Sequence, residues 1–204
     1  KSALRRYLKE FLSDPRVIEI PRFIWWCILN FIILNVRPKK SAKLYQSIWT
    51  DEGSPIMAIS KRQQQKLAEK IKSEHGDDTK VYLAMRYGNP SVSSVLQQMQ
   101  KDGVNKIVAL PLYPQYAAPT TGSSFDAIAK ELVTWRWIPE LHFINTYHNN
   151  SLYIEAISNT INEHVEKHGK PDKLIFSYHG MPLRYLKSGD PYYCFCHQTT
   201  RLVA

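Results

Sequence analysis

The sequence predicts an α/β fold built around a parallel β-sheet. Four apolar runs of strand length, residues 80–87, 106–112, 141–147 and 173–178, alternate with segments in which apolar residues recur at helical spacing. The second run is apolar at nearly every position, which is typical of a parallel strand covered on both faces. Because a parallel strand is reached only by a long crossover, strands that alternate with helices of this length indicate βαβ units.

Two apolar segments open the sequence. Helical spacing begins at the start of the sequence and stops at Asp14-Pro15. The residues that carry it are Leu4, Tyr7, Leu8, Phe11 and Leu12. Residues 23–34 form the most apolar stretch, well short of the roughly 20 residues that span a bilayer. This stretch is interpreted either as a buried helix or as an apolar lip for a flat ligand or a membrane surface.

Capping signals mark the helices that follow. Ser60 and Gln63 form a capping box for a helix that ends at Gly76. An Asn-Pro-Ser string ending at Ser91 starts a helix that ends at Gly103. Helices are also predicted over residues 124–135 and 151–168 and after Pro191.

The composition is that of an ordinary folded protein with a basic surplus. The chain has 204 residues, of which 44% are hydrophobic and 22% charged, and a formal charge of +9; these values exclude intrinsic disorder. The basic residues are scattered, apart from Arg37-Pro-Lys-Lys40 and Lys61-Arg62, so we expect no nucleic-acid partner. Three cysteines with no secretory leader before them predict a reducing compartment, and we expect a cytoplasmic protein with at most peripheral membrane contact.

One predicted loop carries a candidate catalytic residue. Ligands of an open parallel sheet lie beyond the carboxyl ends of its strands, which selects the loops after Tyr87, Leu112, Tyr147 and Tyr178. His179 directly follows the last of these strands, where an imidazole can hold a metal ion or accept a proton near neutral pH. A histidine that only hydrogen-bonds its own loop is the alternative.

Two other groups of residues carry candidate chemistry. The loop around Gly122 offers hydroxyls and helix-start N–H groups that suit an anion, or tyrosines that pack on a flat ligand. Its members are Tyr113, Tyr116, Thr120, Thr121, Ser123 and Ser124. No lysine follows the glycine at the spacing of a phosphate-binding P-loop. Cys194, Cys196 and His197 lack the spacing of a structural zinc site, and their role stays open.

Five strings of residues occur in order along essentially the whole chain. They are Asp14-Pro-Arg-Val-Ile-Glu-Ile-Pro21, Gly53-Ser-Pro55, Met85-Arg-Tyr-Gly-Asn-Pro-Ser91, Leu110-Pro-Leu-Tyr-Pro-Gln-Tyr116 with Thr120-Thr-Gly-Ser123, and Phe176-Ser-Tyr-His-Gly180 with Gly189-Asp-Pro-Tyr192. Each string is modest by itself, but five in register are highly specific. Together they resemble the ferrochelatase family in its proteobacterial form.

The resemblance implies a fold and an activity. The fold has two similar Rossmann-like domains with a porphyrin cleft between them, the first over residues 1–147 and the second, incomplete here, over 148–204. The activity is that of a lyase that inserts Fe²⁺ into protoporphyrin IX and releases two protons, the last step of haem synthesis. We expect the family's opening strand to precede Lys1 and its second-domain glutamate to follow Ala204, so that this segment alone is inactive.

The resemblance also assigns residues to the site. His179 matches the family's histidine, which is described as a metal ligand or as the acceptor of pyrrole protons. Arg37, Tyr45 and Ser54 fall where family members contact the porphyrin. Residues 23–34 look like the family's lip over the cleft, which would also face the membrane that supplies the substrate.

Cofactors and alternative activities complete the expectations from the resemblance. Some family members hold a [2Fe–2S] cluster through a cysteine in the loop where this chain has Ala117 and Ala118, so no cluster is expected and no cofactor is required. Two alternatives stay open: a chelatase for coproporphyrin or another divalent metal, and a non-enzymatic porphyrin or haem carrier on the same fold. An apolar wall favours a disc with two propionates over one with four. The sequence leaves the oligomeric state open.

Overall fold

The computed structural model describes residues 2–204, without the side chains of residues 39–41 and 43. The chain divides into two compact units. One unit combines the chain up to Val104 with Ala127–Arg136, and the other combines Asn105–Asp126 with Trp137–Ala204. The domain boundary after residue 147, which rests on the family resemblance, stays a prediction.

Helices make up most of the described chain. In order, the elements are α1 (Ser2–Ser13), α2 (Arg22–Cys27), α3 (Leu34–Ser47), α4 (Pro55–His75), α5 (Val92–Lys101), β1 (Lys106–Ala109), α6 (Ser123–Leu132), β2 (Glu140–Phe143), α7 (Ser151–His168), α8 (Leu183–Lys187) and α9 (Tyr192–Val203). A π-helical segment, Ile28–Ile33, connects α2 to α3, and another, Ala118–Gly122, leads into α6.

Strands β1 and β2 form a parallel two-stranded sheet, which confirms the predicted α/β class. Lys106 pairs with Glu140 and Ala109 with Phe143, and helix α6 lies between the two strands in the sequence. The strands predicted over residues 80–87 and 173–178 are wrong, since the structure gives these residues only an isolated bridge from Met85 to Ser91. An apolar run reports that side chains favour burial, but a strand also requires a backbone partner at the right register.

The predicted helices agree with the structure except at some of their ends. Helix α7 has the predicted bounds, and the side chain of Asn150 caps its first turn. Ser91 caps α5 as predicted, with its Oγ accepting from a backbone N–H in the first turn at 3.1 Å. The helix predicted to start at Ser60 begins earlier, after Ser54, because proline at the next position favours the first turn of a helix.

The apolar stretch 23–34 has one buried face and one exposed face, and its role as a lip for a ligand or a membrane stays a prediction. One face packs against α1 in a buried cluster formed by Leu8, Leu12, Trp25, Leu29 and Leu34. On the other face, Phe23 is 80% exposed and Phe31 67% exposed, with the exposed Trp26 ring in edge-to-face contact with Phe31. No helix within residues 2–204 has the length and apolar character needed to cross a bilayer.

Asp14 is the buried junction of the first unit. Its side chain is 2% exposed, and its carboxylate accepts hydrogen bonds from Arg86, from the hydroxyl of Tyr87 at 2.8 Å and from the backbone N–H of Arg16 at 2.8 Å. The guanidinium of Arg86 also lies over the Tyr87 ring, 4.5 Å from its centre. These contacts join the turn after α1 to a segment more than 70 positions further along the chain.

Replacing Asp14 with alanine is therefore expected to destabilise the protein. The alanine variant would remove the acceptor of the Arg86 guanidinium, of the Tyr87 hydroxyl and of the Arg16 backbone N–H. Removing one partner of a buried ion pair in this way lowers the free energy of unfolding by about 3 kcal/mol. Urea unfolding of the full-length protein measures this loss. The control is Asp51→Asn, since Asp51 is exposed; equal free energies of unfolding for the two variants would contradict the role of Asp14.

Candidate functional site

The carboxyl ends of β1 and β2 lie at the same edge of the sheet, and the loops that leave them are bonded to each other. The Thr146 hydroxyl donates to the carbonyl oxygen of Pro114 at 2.8 Å, and the backbone N–H of Tyr147 donates to the same oxygen at 3.1 Å. This edge is where ligands of parallel sheets bind. The loops after β1 and β2, called the loop platform below, therefore lie at the edge of the sheet where the sequence predicted ligand binding.

His148 connects this platform to α9 and is a structural residue. Its ring is buried, with Nδ1 2.7 Å from Thr146 Oγ1 and Nε2 2.8 Å from Gln198 Oε1. The ring also stacks on Phe195, with 3.8 Å between ring centres. Because both ring nitrogens have partners and one face is covered, His148 holds α9 in place rather than meeting a ligand.

Asp190 makes a second connection between the loop after β1 and α9. One carboxylate oxygen accepts from the backbone N–H of Ala118 at 2.7 Å, and the other accepts from the backbone N–H of Tyr192 at 3.0 Å. Nearby, Gln115 Nε2 donates to Thr199 Oγ1 at 3.0 Å. Asp190 thus fixes the first turn of α9, where a carboxylate also complements the positive end of the helix dipole.

The loop around Gly122, predicted to hold an anion or to pack on a flat ligand, is buried in part. Thr121 and Ser123 are completely buried, and the Thr121 hydroxyl has no hydrogen-bond partner within the described residues. Tyr113 is 39% exposed, and Tyr116, Thr120 and Ser124 are partly exposed. Both interpretations of this loop stay predictions.

His179 lies on a large cavity within the second unit. The cavity has a volume of about 880 Å³, and the exposed imidazole of His179 is part of its lining. Its walls come from residues 174–183, from α8 and from α9, and most of the lining is apolar or aromatic. The position directly after Tyr178 is the one that the sequence predicted, although residues 173–178 do not form a strand. The site therefore combines one imidazole with apolar and tyrosine surface.

Tyr192 and Cys196 of α9 line the same cavity as His179. They lie one helical turn apart, and Cys196 is buried. Burial raises the pKa of Tyr192 to about 12, with the Cys196 contact acting in the same direction. Burial likewise raises the pKa of the Cys196 thiol. Both groups are therefore neutral donors and acceptors at physiological pH.

The Cys-Phe-Cys-His string divides between different environments. Cys194 is exposed, whereas Cys196 is buried. His197 lines the cavity and packs against the ring of Tyr193, with 4.4 Å between ring centres. The expectation that the protein holds no iron–sulfur cluster stays a prediction. Within residues 2–204, the structure brings no three His, Cys, Asp or Glu side chains together as a metal site.

The other predicted site residues belong to the first unit. Arg37 is exposed on α3, and Tyr45, 39% exposed, lies two turns further along the same helix. Ser54 precedes α4 as its N-cap residue and is half-buried. Arg37 and Tyr45 are thus accessible to a ligand from solvent, and the porphyrin contacts assigned to all three residues stay predictions.

Comparison with known proteins gives a consistent family assignment. The family described as ferrochelatase matches residues 1–204. Ferrochelatase 2 of Shewanella oneidensis is 64% identical over 203 residues, which cover 100% of this chain and 62% of the relative. The ferrochelatase of Shewanella denitrificans is 58% identical, covering 99% of this chain and 61% of the relative. The ferrochelatase of Idiomarina loihiensis is 54% identical, and the match covers 100% of this chain and 56% of the relative.

These relatives are longer than the chain described above, which spans about 60% of their length. The match nevertheless includes every string of residues that carries the resemblance, from Asp14-Pro15 to Asp190-Pro-Tyr192. It also includes both compact units and the histidine on the cavity. The chain belongs to the ferrochelatase family.

Proposed function

We propose that this chain is part of an enzyme that inserts Fe²⁺ into protoporphyrin IX, the last step of haem biosynthesis. The observation that carries the proposal is an exposed imidazole, His179, on a large cavity at the position that the family assigns to its metallation histidine. The full-length protein would contain two Rossmann-like domains, divided after residue 147, with the porphyrin bound between them. It would be a lyase of the cytoplasm that works at a membrane surface and needs no cofactor.

Metallation requires that the macrocycle lose two N–H protons while Fe²⁺ gives up its water and binds the four pyrrole nitrogens. The iron keeps its oxidation state, so no electron donor is needed, and the products are protohaem and two protons. A neutral imidazole at His179 either accepts one of these protons or holds the incoming ion. The second pyrrole proton needs another acceptor, which is not among His179, Arg37, Tyr45 and Ser54.

The porphyrin contacts follow from the shape and charge of the substrate. Protoporphyrin is a flat apolar disc with two propionates, so its site needs an apolar wall and a few cations or hydroxyls at the rim. The exposed aromatic face of residues 23–34 offers such a wall, and it also suits an oily membrane surface. Arg37, Tyr45 and Ser54 supply one guanidinium and two hydroxyls for the rim, and a guanidinium binds a carboxylate in two-point geometry.

The first test of this proposal replaces His179 with alanine in the full-length protein. Loss of the group that handles a proton or the metal is expected to lower the rate of iron insertion roughly 100-fold or more, while the Kd for protoporphyrin changes less than about three-fold because the apolar wall is intact. An anaerobic assay with Fe²⁺ follows the disappearance of porphyrin fluorescence. His168→Ala, at an exposed position on α7, is the control, and near-normal turnover of His179→Ala would exclude the catalytic role.

The same assay distinguishes the alternatives. Metallation of coproporphyrin in preference to protoporphyrin would assign the other substrate, and insertion of Zn²⁺ but not Fe²⁺ would assign another metal. Tight porphyrin binding with no metallation of either porphyrin by the full-length protein would support a carrier.

The second test concerns the propionates. Arg37→Gln is expected to weaken protoporphyrin binding about five-fold, because an exposed ion pair contributes about 1 kcal/mol. The dimethyl ester of the porphyrin has no carboxylates, so its binding should be equal in Arg37→Gln and the unmodified protein. Fluorescence titration measures both affinities, with Arg136→Gln at another exposed position as the control. An equal loss of affinity for the ester would show that Arg37 does not bind a propionate.

The third test concerns the membrane. The double variant Phe23→Ser, Phe31→Ser removes two exposed rings and is expected to lower binding to vesicles of phosphatidylcholine and phosphatidylglycerol by roughly ten-fold or more. Vesicle co-sedimentation measures the bound fraction. The control is Leu152→Ser, which removes a side chain of similar exposure, 73%, from α7. If the double variant and the control bind vesicles equally, residues 23–34 do not form the membrane contact.

A further inference from the structure

We propose that Tyr178 and Thr200 are a positioning pair for His179: the hydrogen bond between their hydroxyls holds the chain that enters His179 against α9. The inference rests on the role proposed for His179, and it adds two residues that act without touching the reacting atoms. Three observations carry it: the geometry of the bond, the attachment of α9 beside Thr200 and the irregular chain around His179.

The bond joins the residue before His179 to the third turn of α9. The Tyr178 hydroxyl lies 2.9 Å from Oγ1 of Thr200. A threonine hydroxyl has one proton to donate, and Thr200 donates it to the carbonyl oxygen of Cys196, 3.0 Å away in the preceding turn. The Thr200 oxygen is therefore the acceptor and the Tyr178 hydroxyl the donor, so the tyrosine is tied through Thr200 to the helix backbone.

The part of α9 that receives this bond is held by the two residues before Thr200. Thr199 is 2% exposed, and its hydroxyl donates to the carbonyl oxygen of His148 at 3.0 Å and accepts from Gln115 Nε2 at 3.0 Å. Gln198 Oε1 lies 2.8 Å from Nε2 of the same histidine. The loop platform therefore fixes the position of Thr200 independently of His179.

The chain around His179 depends on support from outside. Residues 173–182 belong to no helix or strand, and Gly180 adds conformational freedom directly after His179, where a Cβ would meet no atom within 4 Å. Because neighbouring Cα atoms are about 3.8 Å apart, a side chain anchored at Tyr178 restricts where the backbone of His179 lies. A displacement of about 1 Å at a reacting group can lower a rate by a large factor.

Direct contact with the porphyrin is the alternative role, since Tyr178 and Thr200 both belong to the cavity lining. The two roles differ in what they change. A lost porphyrin contact weakens binding, whereas a lost positioning bond lowers kcat and leaves the Kd unchanged.

The experiment removes the bond from each end in the full-length protein. Tyr178→Phe and Thr200→Val each lose it, and each is expected to lower kcat for iron insertion about ten-fold, with the Kd for protoporphyrin unchanged within about two-fold. Thr200→Ser keeps the hydroxyl and is expected to retain kcat within about two-fold.

Two matched controls separate this bond from the loss of any other hydroxyl. Tyr82→Phe also breaks a side-chain hydrogen bond, the one to Asp102 in the first unit. Thr160→Val, on α7, removes a hydroxyl that donates to the carbonyl oxygen four residues earlier at 2.9 Å, as the hydroxyl of Thr200 does. Both controls are expected to retain kcat.

Double variants test whether the pair acts as a unit and through His179. Tyr178→Phe combined with Thr200→Val is expected to have the kcat of either single variant, because both lose the same bond. Tyr178→Phe is expected to change the residual rate of His179→Ala less than about two-fold, since the group that it positions is gone.

The opposite results would overturn the inference while the proposed function stands. They are losses that multiply in either double variant, an unchanged kcat in Tyr178→Phe, a Thr200→Ser protein as slow as Thr200→Val, and a fall in porphyrin affinity equal to the fall in kcat. Full activity of His179→Ala would instead reject the proposed function.

Discussion

The parallel pairing of β1 (Lys106–Ala109) with β2 (Glu140–Phe143) is the constraint on which the second unit depends. Parallel strands send both chains out at one edge, so the two following loops meet there and share the carbonyl oxygen of Pro114 as an acceptor. Most buried polar groups are hydrogen-bonded, and apart from the Thr121 hydroxyl these loops bond to each other and to α9. The two loops together therefore hold α9 in place through hydrogen bonds.

Helix α9 links the loop platform to the cavity, because residues of α9 form part of the cavity lining. His148 and Asp190 attach it at two separate places, and Tyr192 and Cys196 of the same helix line the cavity with His179. Each step is a hydrogen bond between partly or fully buried groups, which holds direction as well as distance. The proposed reaction benefits because an imidazole that handles a proton or a metal ion works only at a defined position.

Local sequence signals predicted part of this arrangement. The start of α5 at Ser91 was identifiable because a cap bonds within its own helix turn, and α7 was identifiable from apolar residues at helical spacing. His179 was selected by its place after a predicted strand, although residues 173–178 form no strand. The two wrong strands, 80–87 and 173–178, show that apolar content does not supply a pairing partner. Contacts between distant positions, such as Asp14 with Arg86, leave no periodic signal in a single sequence. The only indication in the sequence was that Asp14 and Arg86 each lie within a string that carries the family resemblance.

The π-helical segment Ile28–Ile33 has a consequence for how the family can vary. A π turn accommodates one residue more than an α turn, so loss of a single residue there can be absorbed by converting wide turns into ordinary ones. The following helix would then rotate by about 100° about its axis. Trp25, before the segment, would keep its packing on α1, while Arg37 would face a new direction. The same rotation would turn Leu34, the buried first residue of α3, away from the cluster on α1. The extra residue of the π segment is therefore what allows Leu34 to be buried and Arg37 to be exposed on one helix.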